Sequence, residues 1–308
     1  MVFGKLPLGE QILITGGSGQ VGGELRKTLE PLGDLVVPER ATMDLENEAS
    51  IRETIRTVRP RWIVSSGAYT AVDKAESEPK LAYAINAEAV RVIGEEAQAL
   101  GAGVIHFSTD YVFDGLGSKP YLETDAAEPV SVYGASKLAG EKALGESGAG
   151  HIIFRTSWVY GSQGRNFLLT VLKLAREREM LRIVDDQYGA PTWSRDLAKM
   201  TAHVIKRFEA AAETTGLKAV IQDASGIYHA AGSGETNWFE FATEALRLRR
   251  EMEPGVRLAT VEAIPTVQYP TPAKRPLNSR LNCSKLLNKF GWTMMDWRQS
   301  LQEVTSEL

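Results

Sequence analysis

The stretch QILITGGSGQVGGELRKTLEPLG, residues 11–33, decides the reading of the fold. Its first five residues form an apolar run that reads as a buried strand. Gly16, Gly19 and Gly22 follow in G-x-x-G-x-x-G spacing, and QVGGELRKTL then has the periodicity of a helix, stopped by Pro31 and Gly33. A glycine turn between a strand and a helix lets the backbone approach a pyrophosphate. The helix N-terminus meets that charge with unpaired N–H groups. This context, more than the glycine spacing itself, points to a dinucleotide site.

Outward from that turn, strand-like and helix-like segments alternate. DLVVPE (34–39) reads as a second strand, ASIRETIRTVRP (49–60) as a helix and RWIVSSGA (61–68) as a third strand. KLAYAINAEAVRVIGEEAQALG (80–101) is one long helical stretch, and GVIHFSTD (103–110) a strand with a polar end. SVYGASKLAGEKALGESG (131–148) is a helix and HIIFRTSWVYG (151–161) a further strand. Regular alternation predicts an α/β, Rossmann-type doubly wound parallel sheet. Residues 1–160 are expected to form the NAD(P)-binding domain. Residues 161–308 would mainly make a smaller substrate-binding lobe, interleaved with the first because later segments return to the sheet.

The 308 residues suffice for a substantial core; 43% are hydrophobic and 24% charged, as in a water-soluble globular protein. A net charge of −4 gives no general reason to bind nucleic acid or an anionic membrane. Cys283 is the only cysteine, so no disulfide within the chain is possible. The N-terminus lacks the apolar core and cleavage site of a secretory leader, and no segment approaches the roughly 20 apolar residues of a membrane span. The cytoplasm is the expected compartment.

Tyr133 and Lys137 lie four residues apart on a predicted helix and so share one face. A phenol near its usual value of about 10 exchanges protons reluctantly at neutral pH. A neighbouring ammonium is expected to pull that value down and make Tyr133 a usable acid-base group. Lys137 can also hold the ribose hydroxyls of a nicotinamide nucleotide. Thr109 and Asp110 close the fourth strand at its carboxyl end, where doubly wound sheets bind ligands, so the Thr109 hydroxyl can meet a reacting carbonyl. Glu39 and Arg40 end the second strand: the first suits a ribose 2′-hydroxyl, the second a 2′-phosphate, and NADH versus NADPH stays open. His106, His151, His203 and His229 have no metal-ligand spacing and read as packing or surface residues.

Several further segments carry a resemblance: GGSGQVG (16–22), AYTAVDKAESEP (68–79), STDYVFDG (108–115), VYGASKLAGEKAL (132–144), FRTSWVYG (154–161), DQYGAPT (186–192) and YPTPAKRPLNSRLN (269–282). Over nearly its whole length the chain resembles the extended short-chain dehydrogenase/reductase superfamily and, within it, the dTDP-4-dehydrorhamnose reductase family. The resemblance implies hydride transfer from NADPH or NADH to the C4 ketone of a nucleotide-linked 6-deoxy-hexulose. Tyr133 would donate the proton, Lys137 would assist it and grip the cofactor, and Thr109, Asp110 and Trp158 would hold the sugar. Gly19, Gln20 and Val21 would lie at the pyrophosphate, Asp44 and Leu45 near the adenine, and Ala68, Tyr69 and Thr70 along the cofactor. Ser65, Ser66 and Gly67 depart from the family's usual asparagine and small apolar residues. Some relatives bind an interface metal through carboxylates. Glu24 could serve so, but Arg195 stands where a second acid would be sought, so no metal is expected and a homodimer stays possible. Two other readings are an epimerase or dehydratase, which at position 111 would lack the dehydratase acid, and a non-catalytic subunit similar to the regulatory subunit of methionine adenosyltransferase.

Overall fold

A computed structural model describes Leu6 and residues 9–308. The first residues, read above as carrying no secretory leader, lie largely outside that range. Six parallel strands form the central sheet: β1 (Gln11–Thr15), β2 (Asp34–Val36), β3 (Trp62–Ser65), β4 (Gly103–Thr109), β5 (His151–Thr156) and, from the later chain, β10 (Gly226–His229). Their order is β10-β5-β4-β3-β1-β2. From β1 the chain steps one way to β2 and then crosses back to β3, so the winding reverses between β1 and β3. In sheets of this kind, ligands bind at that reversal, beyond the carboxyl ends of the strands.

Because both faces of the sheet are covered, its strands are largely apolar, as parallel strands usually are, with His106 and Arg155 as buried exceptions. Ile12, Ile14, Val64, Ile105, Ile152 and Phe154 face one core. That core is built with α1 (Gln20–Leu29), α8 (Ser194–Thr215), α9 (Leu217–Ala224) and α11 (Ser284–Phe290). Leu13, Ile63, Val104 and Ile153, one residue out of step, face the other. There they meet α2 (Glu48–Val58), α5 (Ala89–Leu100) and α6 (Val132–Glu146). The two-residue alternation of a strand thus divides one apolar run between two cores.

Three expected segments differ in detail. β2 ends at Val36 rather than Glu39, since Pro38 has no N–H to give and β2 is the sheet edge. The long helix over 80–101 is α4 (Pro79–Tyr83) and α5 joined by a π-helical turn, Ala84–Glu88. The strand expected over 151–161 breaks after Thr156: Trp158 adopts φ +48°, which no extended strand can hold, and β6 (Val159–Tyr160) pairs instead with β9 (Thr192–Trp193).

Further small sheets complete the later half: β7 (Met180–Val184) with β12 (Thr260–Ile264), and β8 (Tyr188–Gly189) with β11 (Thr236–Asn237). α7 (Phe167–Glu177), α10 (Trp238–Met252) and α12 (Trp297–Ser306) enclose further apolar clusters around Phe241, Trp193 and Trp297. A short α3 (Val72–Ala75) follows β3. Among the described residues no helix is long and apolar enough to cross a membrane.

Candidate active site

The glycine turn sits at the winding reversal, and at Gly16 and Gly22 it is packed too closely for a side chain. Gly16 has φ +69°, and a Cβ there would stand 2.5 Å from Gly67 Cα, on the loop leaving β3. A Cβ on Gly22 would fall 2.1 Å from the Gly16 carbonyl oxygen. These two glycines let the β1 and β3 loops and the start of α1 converge. Gly19 is the N-cap of α1 and brings no side-chain cap, so no cap side chain covers the first-turn N–H groups. This uncapped cradle fits the pyrophosphate of a dinucleotide.

A cavity of about 1000 Å³ opens on this turn, lined by Gly17, Ser18, Gly19, Gln20, Arg26 and Gly164, among others, and it does not reach Tyr133. Gln20 ties the turn to the later half: its amide nitrogen donates to Arg165 O at 3.3 Å and its oxygen accepts from Asn166 at 2.9 Å. Val21 packs against the core beneath. Leu45 reaches Gly67, where an added Cβ would meet its Cδ1 at 2.8 Å, so it borders the crevice. Asp44 turns its carboxylate to its own loop, accepting from Glu46 N at 3.1 Å. Glu39 and Arg40 are exposed, and Arg40 is paired with Glu46 and, at 3.7 Å, with Asp44.

Ala68, Tyr69 and Thr70 form the loop after β3. Asn86, buried in the π-helical turn, clamps that loop: it accepts from Tyr69 N at 2.8 Å and donates to Tyr69 O at 3.0 Å. It also donates to Ser136 Oγ at 3.0 Å, one residue before Lys137. The sequence reading passed over Asn86. Its signal was an amide inside an otherwise apolar helical face. The phenol of Tyr69 donates to Glu78 at 2.5 Å, a contact that pushes its proton equilibrium up to about 12.

At the other end, Ser131 caps α6 by accepting from Gly134 N at 3.1 Å, which sets Tyr133 in the first turn beside the end of β4. The Thr109 hydroxyl faces the Tyr133 phenol and donates to Asp110 Oδ1 at 3.0 Å, while accepting from Tyr111 N at 3.2 Å. Tyr111 stands edge-on to Tyr133 with ring centres 5.5 Å apart. Thr109, Asp110 and Tyr133 are therefore gathered at one place, the carboxyl end of β4.

The expected effect of Lys137 on the phenol takes a different form. Desolvation dominates and pushes Tyr133 up to about 12, with the Thr109 hydroxyl opposing it. Lys137, itself 2% exposed, directs its ammonium at β4: Nζ donates to Phe107 O at 2.7 Å and contacts His106 Nε2 at 3.2 Å. Burial brings its value down to about 8, opposed by the charge of Glu141. With or without that shift Tyr133 is a neutral phenol at pH 7, the form a proton donor requires.

Asp110 is buried with Oδ2 unpartnered, and desolvation raises its carboxyl to about 6, opposed by the nearby Ser279 and Thr109 hydroxyls. A folded-state value above the unfolded one means that the folded protein binds the extra proton between pH 4 and 6. The stability it contributes is lost as pH rises through that window. The thermal midpoint of the wild type should therefore fall, relative to that of Asp110→Asn, between pH 4.5 and 7.5. Parallel midpoints across that range would show that Asp110 ionises normally.

Trp158, in its left-handed conformation, stacks on Trp238 with centroids 3.6 Å apart and planes at 14°. Trp238 is in turn held through Nε1 to Gln187 Oε1 at 3.2 Å. A Cβ on Gly189 would meet the Trp158 ring at 2.7 Å, so the ring packs this close to β8 only because position 189 carries no side chain. Trp238 and Ser279 were not read from the sequence, because their partners lie far away along the chain. Glu24 accepts from Arg195 Nε at 2.9 Å and from Lys27 at 2.9 Å, while Arg195 also pairs with Glu307. Among the described residues, no cluster of three or more His, Cys, Asp or Glu side chains could hold a metal ion.

Comparison with known proteins adds a family to this geometry. The model of the RmlD substrate binding domain family matches residues 10–308. A dTDP-4-dehydrorhamnose reductase of Escherichia coli K12 is 46% identical over 301 residues, covering 96% of this chain and 97% of its own. A solved dTDP-4-dehydrorhamnose reductase from Clostridium acetobutylicum superposes with a TM-score of 0.86 at 33% identity, covering 96% of this chain and 99% of its own. One from Bacillus anthracis, in complex with NADP, gives 0.85 at 34%, covering 97% and 99%. This chain belongs to the RmlD substrate binding domain family, alongside the dTDP-4-dehydrorhamnose reductases.

Proposed function

We propose that the protein reduces the C4 ketone of dTDP-4-dehydro-L-rhamnose to the alcohol of dTDP-L-rhamnose, with NADPH or NADH as reductant. The observation that carries this reading is the half-buried Tyr133 brought beside Thr109 at the carboxyl end of β4, with the buried Lys137 one turn on along α6. A bound reduced nicotinamide supplies the hydride. Thr109 and Tyr133 hold the carbonyl oxygen by hydrogen bonds, and Tyr133 gives its proton to that oxygen as it becomes an alkoxide. Lys137 keeps a positive charge near the cofactor ribose and the alkoxide. Asp110 contacts a sugar hydroxyl, and the Trp158 face covers the ring. Gly16, Gly19, Gln20, Val21 and Gly22 approach the pyrophosphate, Glu39, Arg40, Asp44 and Leu45 the adenosine, and Ala68, Tyr69 and Thr70 the stretch between.

The first half of the chain serves the cofactor in this scheme, and residues 161–308 mainly serve the sugar nucleotide. The proposed compartment is the cytoplasm, and the proposed partner in solution, if any, is a second copy. The direct test follows absorbance at 340 nm with the 4-keto sugar nucleotide and each cofactor. Oxidation of NADPH or NADH dependent on the keto sugar supports the reading; no oxidation with either sinks it. Trp158→Ala should raise KM for the sugar nucleotide roughly 3–10-fold, the worth of one aromatic stack at about 0.5–1.5 kcal/mol. An unchanged KM would remove Trp158 from the sugar pocket.

A further inference from the structure

His106 is completely buried in the middle of β4, and both of its ring nitrogens are engaged. Nδ1 lies 3.2 Å from Ser65 Oγ on the neighbouring strand β3, and Nε2 lies 3.2 Å from Lys137 Nζ. The same Nζ donates to Phe107 O at 2.7 Å. An ammonium has three N–H donors and no acceptor. Two are therefore taken by fixed groups of one rigid strand, and tetrahedral geometry then dictates where the third points. We propose that His106 is a positioning residue. Its unprotonated Nε2, with the tautomer set by Ser65, holds Lys137 so that the remaining N–H is aimed out of the β4 backbone toward the cofactor cleft.

This arrangement requires a neutral imidazole with its proton on Nδ1, donated to Ser65. Burial and the Lys137 charge both disfavour a protonated His106. Ser65 matters because its hydroxyl can accept that proton. The groups facing Lys137 are consistent with a charged ammonium. Glu141 lies one turn on along α6 and is itself paired with Arg155 of β5 at 2.6 Å. Tyr133 is neutral, and Tyr111, in the turn after β4, is pushed further from ionisation by burial. From β5, His151 adds to the forces that keep His106 neutral. From α5, Glu96 turns away to Arg52 and Arg56.

The proposal rests on Lys137 handling the cofactor, and the test separates the two ideas. With four histidines in the chain, long-range proton–nitrogen spectra of the wild type can be assigned with a His106→Gln variant. The expected result is a bare Nε2 and a protonated Nδ1 from pH 6 to 9; a proton on Nε2 overturns the proposal without any activity measurement. His106→Leu should weaken NADPH binding, read by fluorescence titration, by about tenfold, the worth of one hydrogen bond to a charged group. It should also move the alkaline fall of kcat/KM to lower pH, because a buried ammonium deprived of an acceptor loses its proton sooner. His106→Gln, which can present an amide oxygen, should restore most of both. If folded His106→Leu keeps wild-type affinity and pH profile, His106 is only packing. Should that variant not fold, Ser65→Ala and the wild-type spectra decide, since Ser65→Ala is expected to redistribute the tautomer. Lys137→Ala is the control for the underlying reading: if it binds NADPH like the wild type, the cofactor role of Lys137 fails, whatever the tautomer of His106.

Discussion

Tyr133→Phe will lower turnover of the keto sugar by roughly 10²–10⁴-fold, the usual contribution of a positioned proton donor, while leaving the fold intact. The reason is local. Phenylalanine fills the same space beside Tyr111, whose ring meets Tyr133 edge-on at 5.5 Å, so packing survives. What goes is one hydroxyl, the one that faces Thr109 and whose ionisation desolvation disfavours. The developing alkoxide would then have only the Thr109 hydroxyl as a side-chain donor. NADPH affinity should stay within a few-fold, since no cofactor grip is removed from Lys137. Steady-state assays at 340 nm, together with circular dichroism and cofactor titration, check all three points. Wild-type turnover in a folded Tyr133→Phe variant would take the proton donor away from this residue.

The second large effect lies one layer beneath the site. Glu141→Ala is expected to destabilise the protein by about 3–5 kcal/mol, as when one partner of a buried ion pair is removed. Glu141 accepts from Arg155 through both oxygens, at 2.9 and 2.6 Å, and from the Ser108 hydroxyl. The two charged side chains are only 2% and 3% exposed. Among the described residues Arg155 has no second carboxylate partner, and its Nη1 already lacks a partner. Its remaining support is the ring of Phe113, 5.0 Å below the guanidinium, which cannot neutralise a charge. The urea midpoint should fall with the slope unchanged. A loss under about 1 kcal/mol would mean that water reaches Arg155 and the pair is not dry. Because the Glu141 charge also supports a protonated Lys137, the same variant should lose activity at a lower pH than the wild type.

Much of this was legible from local spacing. Gly16 and Gly22 announce a turn that tolerates no Cβ, and the interval from Tyr133 to Lys137 fixes a shared helix face, whatever surrounds it. The alternating apolar runs predict a parallel sheet because each strand must serve two cores. What spacing cannot carry is nonlocal. Trp158 and Trp238 stack although 80 positions separate them, and Asp110 meets Ser279 from the far end of the chain. The break at Trp158 was invisible because FRTSWVYG has strand-like composition, whereas its conformation is set by the ring resting on Gly189 and Trp238. The direction in which Tyr133 is shifted was also missed. The spacing suggested an ammonium beside the phenol, but Lys137 has better acceptors on β4, and burial then dominates. His106 read as packing because only the fold brings β4 under α6.

The late strand Gly226–His229 has a bearing on how the protein is made. It pairs with His151–Thr156, so that inner strand keeps an open flank until the intervening polypeptide has left the ribosome. At translation rates of about 5–20 residues per second, the wait is on the order of ten seconds. Throughout it, a nascent chain carries an apolar ladder, Ile152, Ile153 and Phe154, with its main-chain groups ready to recruit a neighbour. Chaperone demand should therefore peak mid-synthesis, and fragments ending between residues 160 and 225 should aggregate when the full-length product does not.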